Sequence, residues 1–513
     1  MDTNKLLIDA HKLIISGKGL EAEIILKKIL RFDPSNIFAI NNLGNLLFVQ
    51  NKFEESLKYF NKSLRLKPDF CEAFVNKASC LEKLKRYSEA LDCYKDAIKI
   101  KPDLIDIYYN KGNCLTKLKR FEEALDNYNI FLKTKPKSFK TIFNKGYCFE
   151  KLKLYERALE YYNQAIDYNP NFYQALNQKG NCLQRLHFYD DAIECYKKAI
   201  ELKSDFIDAI NNLGHLQLLM GNYEEGWKNY EWRKKINKDY YFKSEKISEW
   251  RGKQNLKDKK IFISREQGLG DYIQFCRYLP MLKKLGSKIM LDPPKKLKPL
   301  LNSMKLDYSI VDPKNINKIK LDYYCSISSL PLAFKTSLNN IPNITPYLFI
   351  DEKKIFFWEK KINKNKKNIG IKWTGNKSYW DDQNRSASLN KIKSLFDLSY
   401  EFHSLEIEYS KDDLNMMKNI KNLHCYKNEL IGFENTAGLI ENMDLIITTD
   451  TSIAHLCGAL NKKAWVMLSD LPDFRWLLNR DDSPWYPSLK LYRQKKSNDW
   501  GNLIKSIKKD LNV

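Results

Sequence analysis

Two hydrophobic rhythms divide the chain. From near Thr3 to about Tyr240, apolar residues recur three and four positions apart, the spacing of one buried face on an α-helix. These stretches come in pairs, and the pairs repeat every 34 residues. Pro34, Pro68, Pro102, Pro136 and Pro170 keep that phase, and so do Gly44, Ala78, Gly112, Gly146, Gly180 and Gly214. The aromatics Phe53, Tyr87, Phe121, Tyr155, Tyr189 and Tyr223 follow it too, with Ala90, Ala124, Ala158 and Ala192. Each column has a physical role. The small residue lets one helix of a pair approach the other, the aromatic and the alanine fill the groove between them, and the proline ends the second helix. A single pair buries little, so stacking must supply the core. Beyond Tyr240 the rhythm changes to short β-branched runs alternating with helical stretches, which predicts a parallel α/β arrangement. Strands are expected at Lys260–Ser264, Lys288–Leu291, Tyr308–Val311 and Tyr323–Ile327, then from Asn368, at Phe402–Ile407, Leu423–Tyr426, Leu445–Thr449 and Ala464–Leu468.

The repeat residues resemble those of the tetratricopeptide family. Six good repeats begin near Ile37, Cys71, Ile105, Phe139, Tyr173 and Ile207, after a degenerate one near Thr3–Ser35. The sixth is frayed, with Gly226 in the alanine column. The resemblance implies a right-handed superhelix whose concave face is lined by the first helices of the pairs. One further column, Asn42, Asn76, Asn110, Asn144, Gln178 and Asn212, shares the phase. An amide both donates and accepts, so such a ladder can grip an extended peptide backbone, or it can bond neighbouring helices. A similar asparagine ladder occurs in the O-linked N-acetylglucosamine transferases.

The expected organisation is an α-solenoid over residues 1–240, a linker at 241–259, and two Rossmann-like α/β lobes at 260–359 and 360–513. Trp250-Arg-Gly252 is expected to anchor one domain on the other. The Lys360–Lys367 run reads as a polar connection between the lobes, and the last helix, Trp500–Leu511, as one able to cross back to the first lobe.

Charge and composition narrow the classes. The net charge of +24 divides into +8 over residues 1–240 and +16 over residues 241–513. Such an excess suits an anionic small ligand or an anionic membrane surface met peripherally. With no helix-turn-helix, zinc-finger or RNA-binding signature, nucleic acid is not expected as a partner. No leader-like or membrane-spanning stretch is legible, so a cytoplasmic location is expected. Cys80, Cys114, Cys148 and Cys182 keep the 34-residue phase, which marks them as small buried hydrophobes rather than a disulfide or zinc framework.

The candidate chemistry centres on Leu445–Leu460. An apolar strand stops at Asp450, and Thr451 and Ser452 open a helix with Ile453, Leu456, Cys457 and Leu460 on one face. A helix N-terminus with two hydroxyls suits a phosphate; the alternative is Thr451 or Ser452 as a plain N-cap, which the segment taken alone favours. Glu266-Gln-Gly-Leu-Gly-Asp271, Trp373-Thr-Gly-Asn376, Asn384-Arg385-Ser386, Asp450-Thr-Ser-x-x-His455 and Ser483-Pro-Trp-Tyr-Pro487 occur in this order. Together they resemble bacterial tetratricopeptide-containing glycosyltransferases, related to heptosyltransferases and more loosely to the O-linked N-acetylglucosamine transferases.

That resemblance implies the two-lobed GT-B fold and a nucleotide-diphosphate sugar as co-substrate, with no metal and no other cofactor. It implies Asp271 as the base, at a turn that Gly268 and Gly270 keep tight, and inversion at the sugar. It implies Thr451 and Ser452 on the diphosphate, Lys372 and Arg385 as cations for the leaving group, and Asn376 on phosphate or sugar. Asp450 would meet sugar hydroxyls or cap the helix. His455 would touch the nucleotide or serve as a core residue. Trp485 and Tyr486 would stack on the ligand or pack inside. The expected activity is sugar transfer to a protein, peptide or envelope-glycan acceptor held by the repeats. The alternative is an interaction scaffold with an inactive transferase-like domain.

Overall fold

The computed structural model describes residues 3–236, 242, 244, 246–266, 268–377 and 381–512, the side chains of Pro313 and Asn317 excepted. Tyr241, where the expected linker opens, and Gln267 of the Glu266–Asp271 motif lie outside the described residues. The chain forms two compact units, residues 1–204 and 205–513.

The first unit is a tetratricopeptide-type stack of helix pairs, Thr3–Ile15 with Gly19–Phe32, Ile37–Val49 with Phe53–Leu66, Cys71–Lys83 with Tyr87–Ile100, Asp106–Lys117 with Phe121–Thr134, Phe139–Lys151 with Tyr155–Tyr168, and Tyr173–Arg185 with Tyr189–Leu202. The phased residues do what their chemistry requires. Ala90, Ala124, Ala158 and Ala192 are fully buried, while the aromatics Phe53, Tyr87, Phe121, Tyr155 and Tyr189 are half-buried and the deeper filling comes from a further phased column, Tyr94, Tyr128, Tyr162 and Tyr196. A Cβ on Gly112 would lie 2.5 Å from the Tyr128 ring, so the small column sets how closely the paired helices pack. The thiol of Cys114 donates to the Tyr87 carbonyl at 3.2 Å, and burial pushes its pKa up to about 12. The turn inside each pair passes through left-handed backbone at Gly17, Asn51, Lys85, Lys119, Lys153 and His187, another 34-residue column.

The second unit begins with the sixth good repeat, Ile207–Leu219 and Tyr223–Tyr230, followed by a short helix at Arg233–Ile236. Two sheets follow, and every strand pair in them is parallel. The first holds β1 (Ser248–Glu249), β2 (Lys260–Ser264), β3 (Lys288–Leu291), β4 (Tyr308–Ile310) and β5 (Tyr323–Ser326), in the order β1-β5-β2-β3-β4. The second holds β6 (Asn368–Lys372), β7 (Glu401–Ser404), β8 (Leu423–Cys425), β9 (Leu445–Thr449), β10 (Ala464–Leu468) and β11 (Leu489–Arg493), in the order β11-β10-β9-β6-β7-β8. β9 and β10 are buried at every position, which is why they read as unbroken apolar runs.

Several expectations need correction. The sixth repeat belongs to the α/β unit because its aromatics are absorbed there: Trp227 donates to the Thr336 carbonyl at 3.0 Å, and Tyr223 accepts from the Trp485 indole at 3.1 Å. The expected linker contributes β1, and Trp250 packs edge-on against Phe334 within the first lobe. The helix after β2 opens at Leu269 and is interrupted by a 3-10 turn at Cys276–Tyr278, after which Pro280 sits in the opening turn of Leu279–Lys284. β11 was not expected, since its Lys-interrupted run carries a weak signal. Trp500–Leu511 stays on the second sheet, with Trp500, Leu503, Ile504, Ile507 and Leu511 in one core with Ile369, Trp373 and Phe402.

Candidate functional site

Strand order decides where a ligand can enter. In the second sheet, β6 leads outward to β7 and β8, while β9 leads the other way to β10 and β11. β6 and β9 are neighbours, with Lys372 opposite Thr448, so the loops that follow them diverge and leave a crevice at their carboxyl ends. In the first sheet the same reversal falls between β2 and β5. The predicted site residues lie on the loops after β2, β6 and β9, and the loop after β10 joins them.

From the first lobe, β2 ends and the chain passes Glu266 and Gly268 into the helix Leu269–Phe275, placing Asp271 in its first turn. A Cβ on Gly268 would fall 2.0 Å from an Asp271 carboxylate oxygen, so glycine here leaves the carboxylate room to lie against the turn. Asp271 is half-buried and bonded to the Arg475 guanidinium. Burial pushes its carboxyl above the ordinary range, against the opposing pull of Arg475. Arg475 is 7% exposed and also binds Asp473 at 2.6 Å and the Gln274 side-chain oxygen. Behind the turn, Glu266 takes a two-pronged bond from Arg233, at 3.0 and 2.6 Å, and accepts from the Ser326 hydroxyl.

From the second lobe, β9 delivers Asp450, Thr451 and Ser452 to the start of the helix Ser452–Ala459. Thr451 is the N-cap, its hydroxyl accepting from the Ile453 N–H at 3.3 Å. That use occupies Thr451 as a cap. The Ser452 hydroxyl makes no hydrogen bond among the described residues, so it is the free donor at the helix start. Asp450 does not cap the helix. Burial and the Asp473 charge raise its carboxyl to about 6, against Arg475 and Arg385. Arg385 donates to the Asp450 carbonyl and sits beside Asp382, each at 3.3 Å.

The two lobes meet at Gly270. A Cβ there would lie 2.7 Å from the His455 ring and 3.6 Å from the Ser452 Cα. The Asp271 turn and the helix start at Ser452 are therefore one residue's width apart. His455 is buried, stacks on Trp476 with ring centres 5.5 Å apart, and bonds the Tyr486 hydroxyl at 2.9 Å. Burial, with the charges of Arg475 and Arg277, holds its pKa well below the usual range, so it is a neutral packing residue under the crevice.

Other expected residues are placed elsewhere or engaged. Lys372 is tied to Glu406 at 2.6 Å, and Glu406 also accepts from the Trp373 and Thr374 N–H groups, so this ammonium is already neutralised. Asn376 is exposed on the loop after β6. Trp485 and Tyr486 are fully buried, so they pack the core and do not offer a stacking face. In the first unit, Asn76 donates to Asn41 at 3.3 Å, Asn144 to Asn113 at 2.8 Å, and Gln178 to Glu150 at 3.0 Å, each reaching the preceding repeat. Asn42 and Asn110 make no side-chain hydrogen bond among the described residues. All five are half-buried, as is Asn212 in the second unit.

Sequence reasoning missed Arg233, Asp473 and Arg475. Asp473-Phe-Arg475-Trp476 follows the β10 strand, and a polar cluster at the carboxyl end of a buried parallel strand is itself a signal for crevice residues. Arg233, beyond the repeat period, carried none.

Among known proteins, tetratricopeptide-repeat family models match residues 37–70, 71–104, 105–137 and 139–172, and a TPR repeat model matches residues 189–221. Tetratricopeptide repeats are therefore present. Protein FlbA of Caulobacter vibrioides is 21% identical over 316 residues, which cover 55% of this chain and 51% of that protein, so the chain spans about half the length of this curated relative. Among solved structures, YrrB, described as a TPR protein with an unusual peptide-binding site, is 21% identical, with 36% of this chain and 96% of that one covered and a TM-score of 0.33. A tetratricopeptide repeat protein from Parabacteroides merdae is 18% identical, with 47% and 94% covered and a TM-score of 0.39. No helix among the described residues is long and apolar enough to cross a membrane.

Proposed function

We propose that the second unit is a GT-B-type glycosyltransferase that takes a nucleotide-diphosphate sugar. The repeats would recruit its protein, peptide or envelope-glycan acceptor. One observation carries this reading: the turn that bears Asp271, in one α/β lobe, packs through Gly270 against the helix start at Ser452 in the other, a Cβ on Gly270 lying 3.6 Å from the Ser452 Cα. An inverting transfer needs that juxtaposition. The acceptor oxygen bonds to the anomeric carbon, and its proton passes to Asp271. The anomeric bond to the diphosphate breaks, and the electron pair leaves on the phosphate oxygen. The Ser452 N–H and hydroxyl would stabilise that departing charge, with Arg385 and Arg475 as the neighbouring cations.

The test is a thermal-shift and donor-hydrolysis screen of the full chain against UDP-, GDP- and ADP-sugars. At least one should bind and be turned over, and Asp271→Asn should keep binding while losing turnover. Full turnover by that variant would remove Asp271 as the base. Absence of any binding would favour a second reading, a peptide-binding scaffold with a silent transferase-like domain. The neutralisation of Lys372 by Glu406 speaks for that reading. On either reading, replacing Asn76, Asn110 and Asn144 by alanine should weaken capture of the repeat's protein partner. Unchanged capture would leave these amides with a purely structural job.

A further inference from the structure

The function proposed above leaves a difficulty. The proposed base has a carboxylate oxygen taken by the Arg475 guanidinium, whose charge also pulls against the burial that raises its affinity for a proton, so in this arrangement that oxygen is not open to an acceptor hydroxyl. Each nitrogen of Arg475 already has a partner: Nη2 is on Asp271, Nη1 on Asp473 and Nε on Gln274. Around it the carboxylates outnumber the cations. Asp271, Asp473 and Asp450 all act on Arg475, and Arg385 is partly engaged by Asp382.

A diphosphate changes that balance. It is the stronger partner for a planar guanidinium, which it can engage through two parallel bonds. The helix start at Ser452 lies beside the Asp271 turn, so the anion would bind within an arginine's reach of it. We propose that Arg475 is a donor-operated latch on Asp271. In the empty site it neutralises the carboxylate. A bound diphosphate draws the guanidinium away, and the same motion that steadies the leaving group frees the base. The sugar donor would thus arm the site before an acceptor is deprotonated. This inference rests on the proposed transferase reading and adds a residue that positions charge within it.

The latch makes a prediction that a static phosphate contact does not. If Asp271 competes with the diphosphate for Arg475, removing that competition should tighten binding. Calorimetric titration of the full chain with UDP, GDP, ADP and inorganic pyrophosphate tests this. Asp271→Asn should bind the responding probe about tenfold more tightly than the parent, and Arg475→Gln should bind it at least tenfold more weakly. The gain from Asp271→Asn should vanish in the Arg475→Gln background. A gain that persists there is plain removal of a negative charge and overturns the latch. So does an unchanged or weaker affinity in Asp271→Asn. Arg475→Lys, which keeps the charge and loses the fork, covers the case in which the glutamine variant does not fold, and there the gain should shrink. If no probe binds the parent, the transferase reading falls and the latch with it. If a probe binds the parent and Asp271→Asn gains nothing, only the latch falls.

Discussion

Replacing Asp450 with asparagine tests the electrostatics of the crevice without any ligand. Burial and the neighbouring Asp473 charge raise the Asp450 carboxyl from an ordinary 3.8 to about 6. Between those values the folded state holds a proton that the unfolded state releases, so stability falls as pH rises through that window and is level above it. At 1.36 kcal/mol per unit the full penalty is about 3 kcal/mol, and partial exposure of the side chain reduces it to about 2 kcal/mol. Asp450→Asn, which has no charge to bury, should therefore exceed the parent by about 2 kcal/mol at pH 7.5, with the gap closing towards pH 4. The assay is selective because all ten tryptophans lie beyond residue 204, so their fluorescence during denaturant unfolding reports the second unit and not the first. A gap that stays constant across this pH range, or a less stable variant at pH 7.5, would refute the charge crowding inferred around Arg475.

Two further perturbations address packing. Gly270→Ala would drive a Cβ to 2.7 Å from a His455 ring that is held by Trp476 and Tyr486, and should cost about 1–3 kcal/mol by the same fluorescence assay. In a His455→Ala background most of that cost should disappear, and an additive cycle would deny the contact. In the first unit, Lys85→Gly and Lys119→Gly, at φ of 61° and 59°, should each stabilise the stack by about 0.5–1 kcal/mol, read by far-ultraviolet circular dichroism. Destabilisation would show that the lysine stems pack well enough to offset their strained backbone.

The repeats were legible because their physics is local and periodic. Gly112 must be small where Tyr128 crosses it, and the same geometry recurs every 34 residues, so each copy corroborates the others. The strands β9 and β10 were legible because burial on both faces writes an unbroken apolar run. The crevice was legible only in part. Ser452 and Asp271 stand at strand-to-helix turns, where chain direction alone limits what they can face. Lys372 was misjudged because its partner, Glu406, lies 34 residues away after the next strand, and sequence cannot show that a cation is already paired. For Trp485 and Tyr486 the sequence left stacking and core packing open, since an aromatic pair between prolines reads the same whether it faces solvent or core, and the structure places both in the core.

The frayed sixth repeat is better understood as a surface adapted to the lobes than as a decayed copy. Gly226 replaces the column alanine where a Cβ would lie 2.7 Å from Leu218, so the two helices of this pair sit closer than alanine would permit. The second helix stops at Tyr230, and the chain then turns to deliver Arg233 onto Glu266, at the reversal point of the first sheet. Trp227 and Tyr230 pack edge-on against Phe474, the residue before Arg475, and His215 rests on the same ring. Cutting the chain at the end of the 34-residue pattern would leave the buried Glu266 unpaired, a loss of about 3–5 kcal/mol for a pair of this kind, and would remove the wall behind the loop that carries Arg475. The last repeat is therefore part of the crevice's foundation, and its departures from the consensus are the sequence record of that attachment.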